Sequence, residues 1–375
     1  MAKDNKKDKA FDSAELDKML ATGGFLFKEP EKTSDGLLKT PRWETGIIMF
    51  DKLLNGGLPK GATIAVGAEP GVGKTTLLIQ ALCNISERYN KKTYYIDVEG
   101  GATYELIASM GFSDLLWHPK DNPTGLFYLL SAETIQDIAK LIKHLTKDPD
   151  TAAIVIDSDT SVVDGNALED EELGMGKGYA AGDARMWSRA SKPIGALIKK
   201  SNACLLIIHQ ARVDLSGFMP KTVATGGNAA KHLASAEIFG KRKGWIGDGN
   251  VMVPKREQAV GALVSFSTSK NRLTMPFAAV EMPIFFGRGV SNKWAYKSWL
   301  EDFDVVDQAT GEVNKALSMK GGGFYTLRLP SGEHKARGDA GVWAIIDEKY
   351  EEIVDFVERN GGFKLGKAED ELGED

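Results

Sequence analysis

The chain has 375 residues, 42% of them hydrophobic and 26% charged, with a net charge of −5. That length suits one large domain with an appendage or two domains, with enough apolar residues for a sizeable core. The longest apolar runs, such as Cys204–Ile208 and Ala152–Ile156, fall far short of the ~20 residues of a membrane helix, and the opening MAKDNKKDKA has no apolar stretch behind it, so neither a membrane span nor a signal peptide is expected.

The two cysteines, Cys83 and Cys204, each sit inside an apolar pattern, which points to a reduced, cytoplasmic protein and not to a disulfide scaffold. The net charge hides a separation. Lys367–Asp375 carries five acids against one lysine, while Lys241–Arg256 carries Lys241, Arg242, Lys243, Lys255 and Arg256 against Asp248. An acidic tail can mask a basic binding face in a whole-chain sum.

In chain order, residues 1–10 read as a charged tail. Phe11–Ala21 places Leu16, Met19 and Leu20 at helical spacing behind a cap at Asp12 or Ser13. Gly23-Gly24 ends that helix, Phe25-Leu26-Phe27 is a short apolar piece, and a polar linker runs to about Arg42. From Trp43 the pattern alternates between β-rich runs and helical stretches. Strands are expected at Thr63–Gly67, Thr93–Val98, Phe127–Leu130, Ala152–Asp157 and Cys204–His209; helices at Thr75–Tyr89, Tyr104–Met110 and Thr134–Thr146. Runs apolar on both faces, joined by helices, predict a mostly parallel sheet covered on both sides. Strand-like runs follow at Ala262–Ser269 and Ala278–Phe286. Beyond about Val290 a smaller α/β unit is expected, with a helix near Glu348–Asn360.

The first strand leads into Ala68-Glu69-Pro70-Gly71-Val72-Gly73-Lys74-Thr75-Thr76 and then a helix, the context of a phosphate-binding loop. Gly71 and Gly73 let backbone N–H groups turn inward, and the helix start adds partial positive charge. Lys74 reaches the β- and γ-phosphates of a nucleoside triphosphate, ATP with Mg²⁺, and the Thr75 hydroxyl meets the metal. Ala68 stands where the first glycine of this loop is expected, a change that is harmless if the residue keeps a negative φ.

Two further strands end in acids. Glu99 closes Tyr94–Glu99 and is placed to activate a water at the γ-phosphate. Asp157 follows four apolar residues and is placed to hold Mg²⁺. A third strand ends in His209-Gln210, where an amide can sense the γ-phosphate; His209 reads as structural. The following Ala211–Thr225 reads as a long loop holding Arg212, Lys221 and an apolar centre of Leu215, Phe218 and Met219, which fits a mobile surface loop and a DNA contact equally. Glu169–Lys192 is glycine-rich at Gly174, Gly176, Gly178 and Gly182, then enters a helix with Arg185, Ser188, Arg189 and Lys192, which fits a basic solvated helix as well as a DNA contact.

Taken together these residues resemble the RecA family of recombinases from about Trp43 onward. The lead-in ETGIIMFDKLLNGGLPKG at Glu44–Gly61 resembles the family's approach to its phosphate loop; Ile156–Ser158 resembles its Walker B strand, and Leu206–Ser235 its second DNA loop and following helix. SKNRLTMPF at Ser269–Phe277 resembles a basic element of the family, and GGGFYTLR with the helix ending near Asn360 resembles its small C-terminal domain.

The resemblance implies a RecA-type ATPase core at 43–289 with two DNA-binding loops, a small C-terminal α/β domain at 290–366, an acidic tail at 367–375 and an oligomerisation segment at 1–42. There Phe11–Ala21 and Phe25–Phe27 fit docking on a neighbour and local packing equally. It implies a homo-oligomeric helical filament on single-stranded DNA that pairs with double-stranded DNA and exchanges strands, with ATP between protomers. Glu69, Pro70, Gly71, Val72, Gly73, Lys74, Thr75 and Thr76 would hold nucleotide, Thr75 and Asp157 the metal, and Glu99 would be the base. Gln210 would couple nucleotide to DNA, and Lys270 and Arg272 would reach the γ-phosphate across the subunit interface. Tyr104 is the nearest match to an adenine-stacking tyrosine, two positions early. DNA contacts would fall on Arg185, Ser188, Lys192, Arg212, Leu215, Gly226, Gly227 and Asn228.

Departures from the family are His209 in place of asparagine, His232 in place of an aromatic residue, and a second loop shorter by one residue. The degree of divergence also fits phage-encoded members, for which the compartment would be the host cytoplasm. A ring helicase or similar motor, and a non-catalytic DNA-coating protein, are the competing readings. Gly226-Gly227-Asn228 with Lys270-Asn271-Arg272 favours the recombinase over the motor, and Glu99 argues against the coating protein.

Overall fold

The computed structural model describes residues 31–32, 38–163, 179–214, 221–224, 233–272, 278–307 and 310–363. The expected helix at Phe11–Ala21 and the piece at Phe25–Phe27 lie outside these residues. Two compact units are present, Met1–Pro41 and Arg42–Asp375. In the first, β1 (Glu31–Lys32) pairs antiparallel with β2 (Leu38–Lys39), so the stretch expected as a plain polar linker contains a paired strand.

The second unit begins with β3 (Arg42–Trp43), α1 (Ile48–Leu53) and β4 (Leu58–Pro59), then β5 (Thr63–Ala68), α2 (Lys74–Tyr89), β6 (Lys92–Asp97) and α3 (Tyr104–Ser109). β7 (Phe127–Ser131), α4 (Ile135–Leu145), β8 (Thr151–Asp157), α5 (Tyr179–Lys200), β9 (Cys204–Asp214) and β10 (Lys221–Ala224) follow. Next come β11 (Ala236–Ile246), β12 (Met252–Val253), β13 (Gly261–Asn271), β14 (Ala279–Phe285) and β15 (Gly289–Val290). The C-terminal elements are α6 (Lys293–Asp302), β16 (Asp304–Val306), β17 (Val313–Lys315), β18 (Leu317–Lys320), β19 (Phe324–Leu329), β20 (Gly332–Arg337), α7 (Gly338–Glu348) and α8 (Tyr350–Arg359).

One sheet organises the unit, in the order β15-β14-β13-β11-β5-β9-β8-β6-β7. From β11 to β7 every neighbouring pair is parallel; β13, β14 and β15 extend the β11 side antiparallel. β5, β8 and the first half of β9 are nearly continuous apolar runs because both faces are covered. In β8, Ala153 and Val155 enter the cluster built on α1 and α2, while Ile154 and Ile156 enter the cluster built on α4 and α5. β9 repeats this with Leu206 and Ile208 on the first face and Leu205 and Ile207 on the second.

Capping sets the helix starts. Thr103 accepts the Leu106 N–H at α3, and Thr134 accepts the Asp137 N–H at α4, each meeting an otherwise unpaired first-turn donor. α5 runs from Tyr179 and contains Gly182, so that glycine belongs to the helix and not to the preceding loop. The stretch after Gln210 is also more regular than a long loop. β9 continues to Asp214 and pairs antiparallel with β10, register Arg212↔Val223, as a β-hairpin.

A third apolar cluster lies C-terminally. Tyr296, Leu300, Leu317, Leu327, Trp343, Ile346, Ile353 and Val357 pack together, and Ile48 of α1 joins them. β18, β19 and β20 form its antiparallel sheet.

The alanine at position 68 has a physical answer. Ala68 is paired in β5 and is not among the residues with positive φ. Its partner on β11 is Gly240, where an added Cβ would lie 3.0 Å from the Ala68 methyl and 2.6 Å from the Phe266 ring. The methyl therefore occupies room that a glycine opposite leaves open. Gly240→Ala should destabilise by about 1–3 kcal/mol through overpacking, and adding Ala68→Gly should return part of the loss. Chemical denaturation of the two variants checks this; equal stability of Gly240→Ala and the unaltered protein would remove the account.

Candidate nucleotide site

The site is built where parallel strands end. β5 delivers the chain to Glu69, whose N–H donates to Gly240 O at 3.1 Å, while the Arg242 N–H donates to Glu69 Oε2 at 3.2 Å. The loop is thus tied to β11 from both its backbone and a side chain. Gly71 and Gly73 take φ of +69° and +84°, the left-handed region that glycine tolerates. At Gly73 a Cβ would also fall 2.8 Å from Ile284. Val72 between them is buried, and α2 begins at Lys74. Expected loop residues Glu69, Pro70, Gly71, Val72, Gly73, Lys74, Thr75 and Thr76 therefore lie in one strand–turn–helix unit.

Asp157, at the end of β8, meets this loop. Its Oδ2 accepts the Thr75 hydroxyl at 3.1 Å and the Tyr95 hydroxyl at 2.6 Å. Tyr95 is fully buried on β6, three strand positions from β5. Burial raises the Asp157 carboxyl above the usual carboxylate range; the Tyr95 and Thr75 hydrogen bonds oppose the rise and the Glu99 charge adds to it. Burial lowers the Lys74 amine below its ordinary value, although Asp157 and Glu99 pull it upward. Both ionised groups are thus held under desolvation stress. An anionic phosphate chain beside Lys74 and a divalent cation beside Asp157 would each restore the charged form. The donor set suits Mg²⁺, a hard cation that takes one or two protein oxygens and completes its shell with phosphate and water.

Glu99 lies two residues beyond the end of β6, on a turn shaped by Asp97. The buried Asp97 carboxylate accepts N–H groups from Glu99 (3.1 Å), Gly100 (2.9 Å), Gly101 (3.3 Å) and Ala102 (2.9 Å). This turn gives Glu99 an exposed position facing the loop after β8. Glu99 Oε1 there accepts the Ser158 hydroxyl and, at 3.0 Å, the Ser161 hydroxyl.

Other expected residues divide clearly. Gln210 pairs in register with Ala68, which puts it beside the start of the phosphate loop. Tyr104 opens α3 and is 62% exposed. Ser188 and Lys192 are exposed on α5, whose Trp187, Ile194 and Ile198 pack inward. Arg185 lies on the same helix and Arg212 on the β9–β10 hairpin. Leu215, Gly226, Gly227, Asn228 and His232 lie outside the described residues.

Lys270 and Arg272 are not brought to the loop within this chain. Lys270 pairs with Glu237, which is level with Ala65, so it sits three residues (~10 Å) below Ala68 and two strand spacings (~10 Å) to the side. That is mid-strand for β5, on the way to the amino edge, which Arg272 reaches where its N–H donates to Ser235 O ahead of β11, whereas Lys74, Asp157 and Glu99 are at the carboxyl edge.

No sequence motif assigns a role to Tyr95 or Asp97. Polar side chains at the end of a strand buried on both faces were the available signal, because such a strand tolerates them only where they find partners. Asp97→Asn exchanges one acceptor oxygen for an N–H₂ group, leaving the four-amide turn short of acceptors. Hydrogen exchange should then show amides 99–102 losing protection while interior β6 amides keep theirs, with a stability loss of about 1–3 kcal/mol. Unchanged protection at 99–102 would mean the carboxylate does not shape the turn.

A strand, a glycine turn and a helix, with an acid-ended strand one place further along a mostly parallel sheet, define a P-loop α/β core. Residues 32–291 match the family model of the RecA N-terminal domain, more than half of the chain, and the protein belongs to the RecA family. Protein RecA of Xanthomonas campestris pv. campestris (strain B100) is 28% identical over 303 residues, 78% of each chain. Protein RecA of Bordetella pertussis is 27% identical over 329 residues, 87% of this chain and 86% of that one. DNA repair protein recA homolog 3, mitochondrial, of Arabidopsis thaliana is 28% identical over 292 residues, 76% of this chain and 60% of the other. The crystal structure of the RadB recombinase covers 66% of this chain and 98% of its own, at 22% identity and a TM-score of 0.46.

Proposed function

We propose that the protein is an ATP-dependent recombinase that assembles as a helical filament on single-stranded DNA, pairs it with a homologous duplex and exchanges strands, hydrolysing ATP under stimulation by DNA. The observation that carries the reading is the meeting of Lys74, Thr75, Asp157 and Glu99 at one sheet edge, in a chain of the RecA family. Names of relatives point the same way, since one is called a DNA repair protein.

On this reading the backbone of Glu69–Thr76 cradles the phosphates and Lys74 neutralises them. Thr75 and Asp157 supply oxygens to Mg²⁺, which when bound neutralises charge on the β- and γ-phosphates. Glu99 takes the proton of an attacking water, its carboxylate aimed by the Asp97 turn and by the Ser158 and Ser161 hydroxyls. Tyr104 offers an aromatic face to the base, and Gln210, beside Ala68, reports the state of the γ-phosphate to the hairpin. Lys270 and Arg272 complete the site of the neighbouring subunit, a role that their place toward the amino edge supports, because a neighbour stacked along a filament can present that edge to this one.

DNA would be held by Arg185, Ser188 and Lys192 on α5, by Arg212 on the hairpin, and by Leu215, Gly226, Gly227 and Asn228. Contacts of this kind, charges and apolar wedges, need no particular base sequence. Residues 43–289 form the catalytic and DNA-binding core in this scheme, 290–366 the small domain, 1–42 the assembly segment and 367–375 the acidic tail.

Glu99→Gln should lower DNA-stimulated hydrolysis by about 10²- to 10⁴-fold, the range for losing a general base, while single-stranded DNA binding is retained. Steady-state hydrolysis with and without DNA measures this, and a rate independent of DNA in the unaltered protein would count against the recombinase. For the interface, Lys270→Ala alone and Lys74→Ala alone should each lose hydrolysis, and mixing the two should recover a fraction of the rate. No recovery on mixing, or a full rate in Lys270→Ala alone, would place the whole site in one subunit. Electron microscopy with DNA and a slowly hydrolysed ATP analogue should give helical filaments; closed rings would select a ring motor.

A further inference from the structure

We infer that His209 and Asp159 act as a positioning pair, through which the path of β9 into its hairpin sets the aim of Glu99. The inference rests on the proposed role of Glu99 as base and goes beyond it by naming the residues that make its aim depend on DNA.

His209 Nδ1 lies 2.7 Å from Asp159 Oδ2, and both side chains are buried, with 5% and 1% of their side-chain surface exposed. The approach has the length of a hydrogen bond but not its direction. Neither Asp159 oxygen, nor His209 Nε2, has a hydrogen-bond partner among the described residues. A buried polar pair with unmet hydrogen bonding is an expensive filling for a site whose neighbours, Ile207 and Ile208, are apolar. Packing alone would be served better by two aliphatic side chains. What this pair adds is a tether between two strands' ends that an aliphatic contact would not make.

The tether joins two segments with different tasks. His209 is level with Gly67, and the next residue, Gln210, is level with Ala68 at the phosphate loop. The chain then passes directly into the β9–β10 hairpin. Asp159 follows Ser158, and its N–H donates to Ile208 O at 3.1 Å, so the turn after β8 already leans on β9. That turn carries Ser158 and Ser161, whose hydroxyls both donate to Glu99 Oε1. A contiguous path therefore runs from the hairpin through Gln210 and His209 to Asp159, then through Ser158 and Ser161 to Glu99. Two hydroxyls on one carboxylate oxygen fix the direction in which the other oxygen points. Shifting the 158–161 turn re-aims the carboxylate, and β9 can shift that turn through the His209–Asp159 contact. His209 and Asp159 touch neither nucleotide nor DNA in this scheme.

The test uses the full chain and compares the unaltered protein with His209→Leu, His209→Asn and Asp159→Asn. Hydrolysis is measured with and without saturating poly(dT), with KM for ATP, poly(dT) affinity by anisotropy and thermal melting. His209→Leu and Asp159→Asn should lose about tenfold or more of the DNA stimulation of kcat, within the range of a coupling between sites. Their DNA-free rate, KM and poly(dT) affinity should stay close to normal. His209→Asn keeps an N–H donor near the Nδ1 position and should recover most of the stimulation. Full stimulation in a folded His209→Leu would overturn the inference, and so would loss of ATP or DNA binding together with the rate, which marks a merely structural role. If His209→Leu fails to fold, Asp159→Asn, which keeps shape and removes charge, decides by the same readings. Absence of stimulation in the unaltered protein would instead remove the reading on which the pair depends, and the inference with it.

Discussion

One oxygen of Asp157 receives the Thr75 hydroxyl at 3.1 Å and the Tyr95 hydroxyl at 2.6 Å, and three elements are thereby joined at a point. α2 brings Thr75, β6 brings Tyr95 and β8 brings the carboxylate. Below their carboxyl ends β5, β6, β8 and β9 bury mostly aliphatic side chains and uncharged threonines, Thr93 pairing with Ser86 inside the core. Burying a carboxylate is costly unless donors meet it, so the sheet's charged chemistry gathers where its strands stop. The position of the site follows from that constraint. So does the stress on Lys74 and Asp157, each held away from its ordinary ionisation by the same burial.

The same constraint separates the cationic groups. Lys74 belongs to the carboxyl edge; Lys270 lies near the end of β13, level with Ala65, and Arg272 just beyond that strand, at the amino edge. An antiparallel strand added to a parallel sheet necessarily ends at the edge where the others begin, so β13 cannot bring its last residues to the loop of its own chain. In the proposed assembly a neighbouring copy would use them. A filament, in which each copy meets the next by the same displacement, presents one edge of a subunit to the other edge of its neighbour.

Local pattern and tertiary context divided the work of reading this chain. Strand and helix positions were legible because continuous apolar runs, helix-spaced apolar positions and capping threonines are local signals, and the phosphate loop was legible because its glycines serve a local backbone need. Ala68 looked anomalous only because its compensation, Gly240, lies 172 residues away in sequence and opposite it on β11. Asp97 and Tyr95 went unassigned because their partners are backbone amides of a turn and a carboxylate on another strand, which no spacing rule reports. The hairpin after Gln210 is hidden in the sequence because its paired strands are four-residue pieces, ARVD and KTVA, on either side of the turn-favouring residues Gly217 and Pro220. Gly182 carries a loop signal that the helix overrides, since a single helical glycine is tolerated at a cost of ~1 kcal/mol.

Satisfied and unsatisfied polar groups are not spread evenly, and their distribution bears on how such a site could respond to a ligand. Around the body of α2 the hydrogen bonding is closed. Gln80 both donates to Val290 O at 3.1 Å and accepts the Val290 N–H at 2.6 Å, and Asn292 accepts the Ile48 N–H at 3.0 Å while donating to Gly46 O at 2.8 Å. Asn84 adds a bond to Thr45 O at 2.8 Å. These ties fasten the helix that follows the phosphate loop to the lead-in segment and to the start of the C-terminal elements, leaving it little freedom to shift alone. Among the described residues unmet groups occur at Asp159 and His209, on the turn and strand beyond the loop, and also at Trp187 Nε1, Trp294 Nε1 and Tyr296 OH. A closed network resists displacement because every shift breaks a bond, whereas a buried pair short of partners loses little by moving. The Ser158–Ser161 turn is bonded to β9 through the Asp159 N–H and to Glu99 through two hydroxyls, so a displacement of the end of β9 would reach Glu99 while α2 stays fastened.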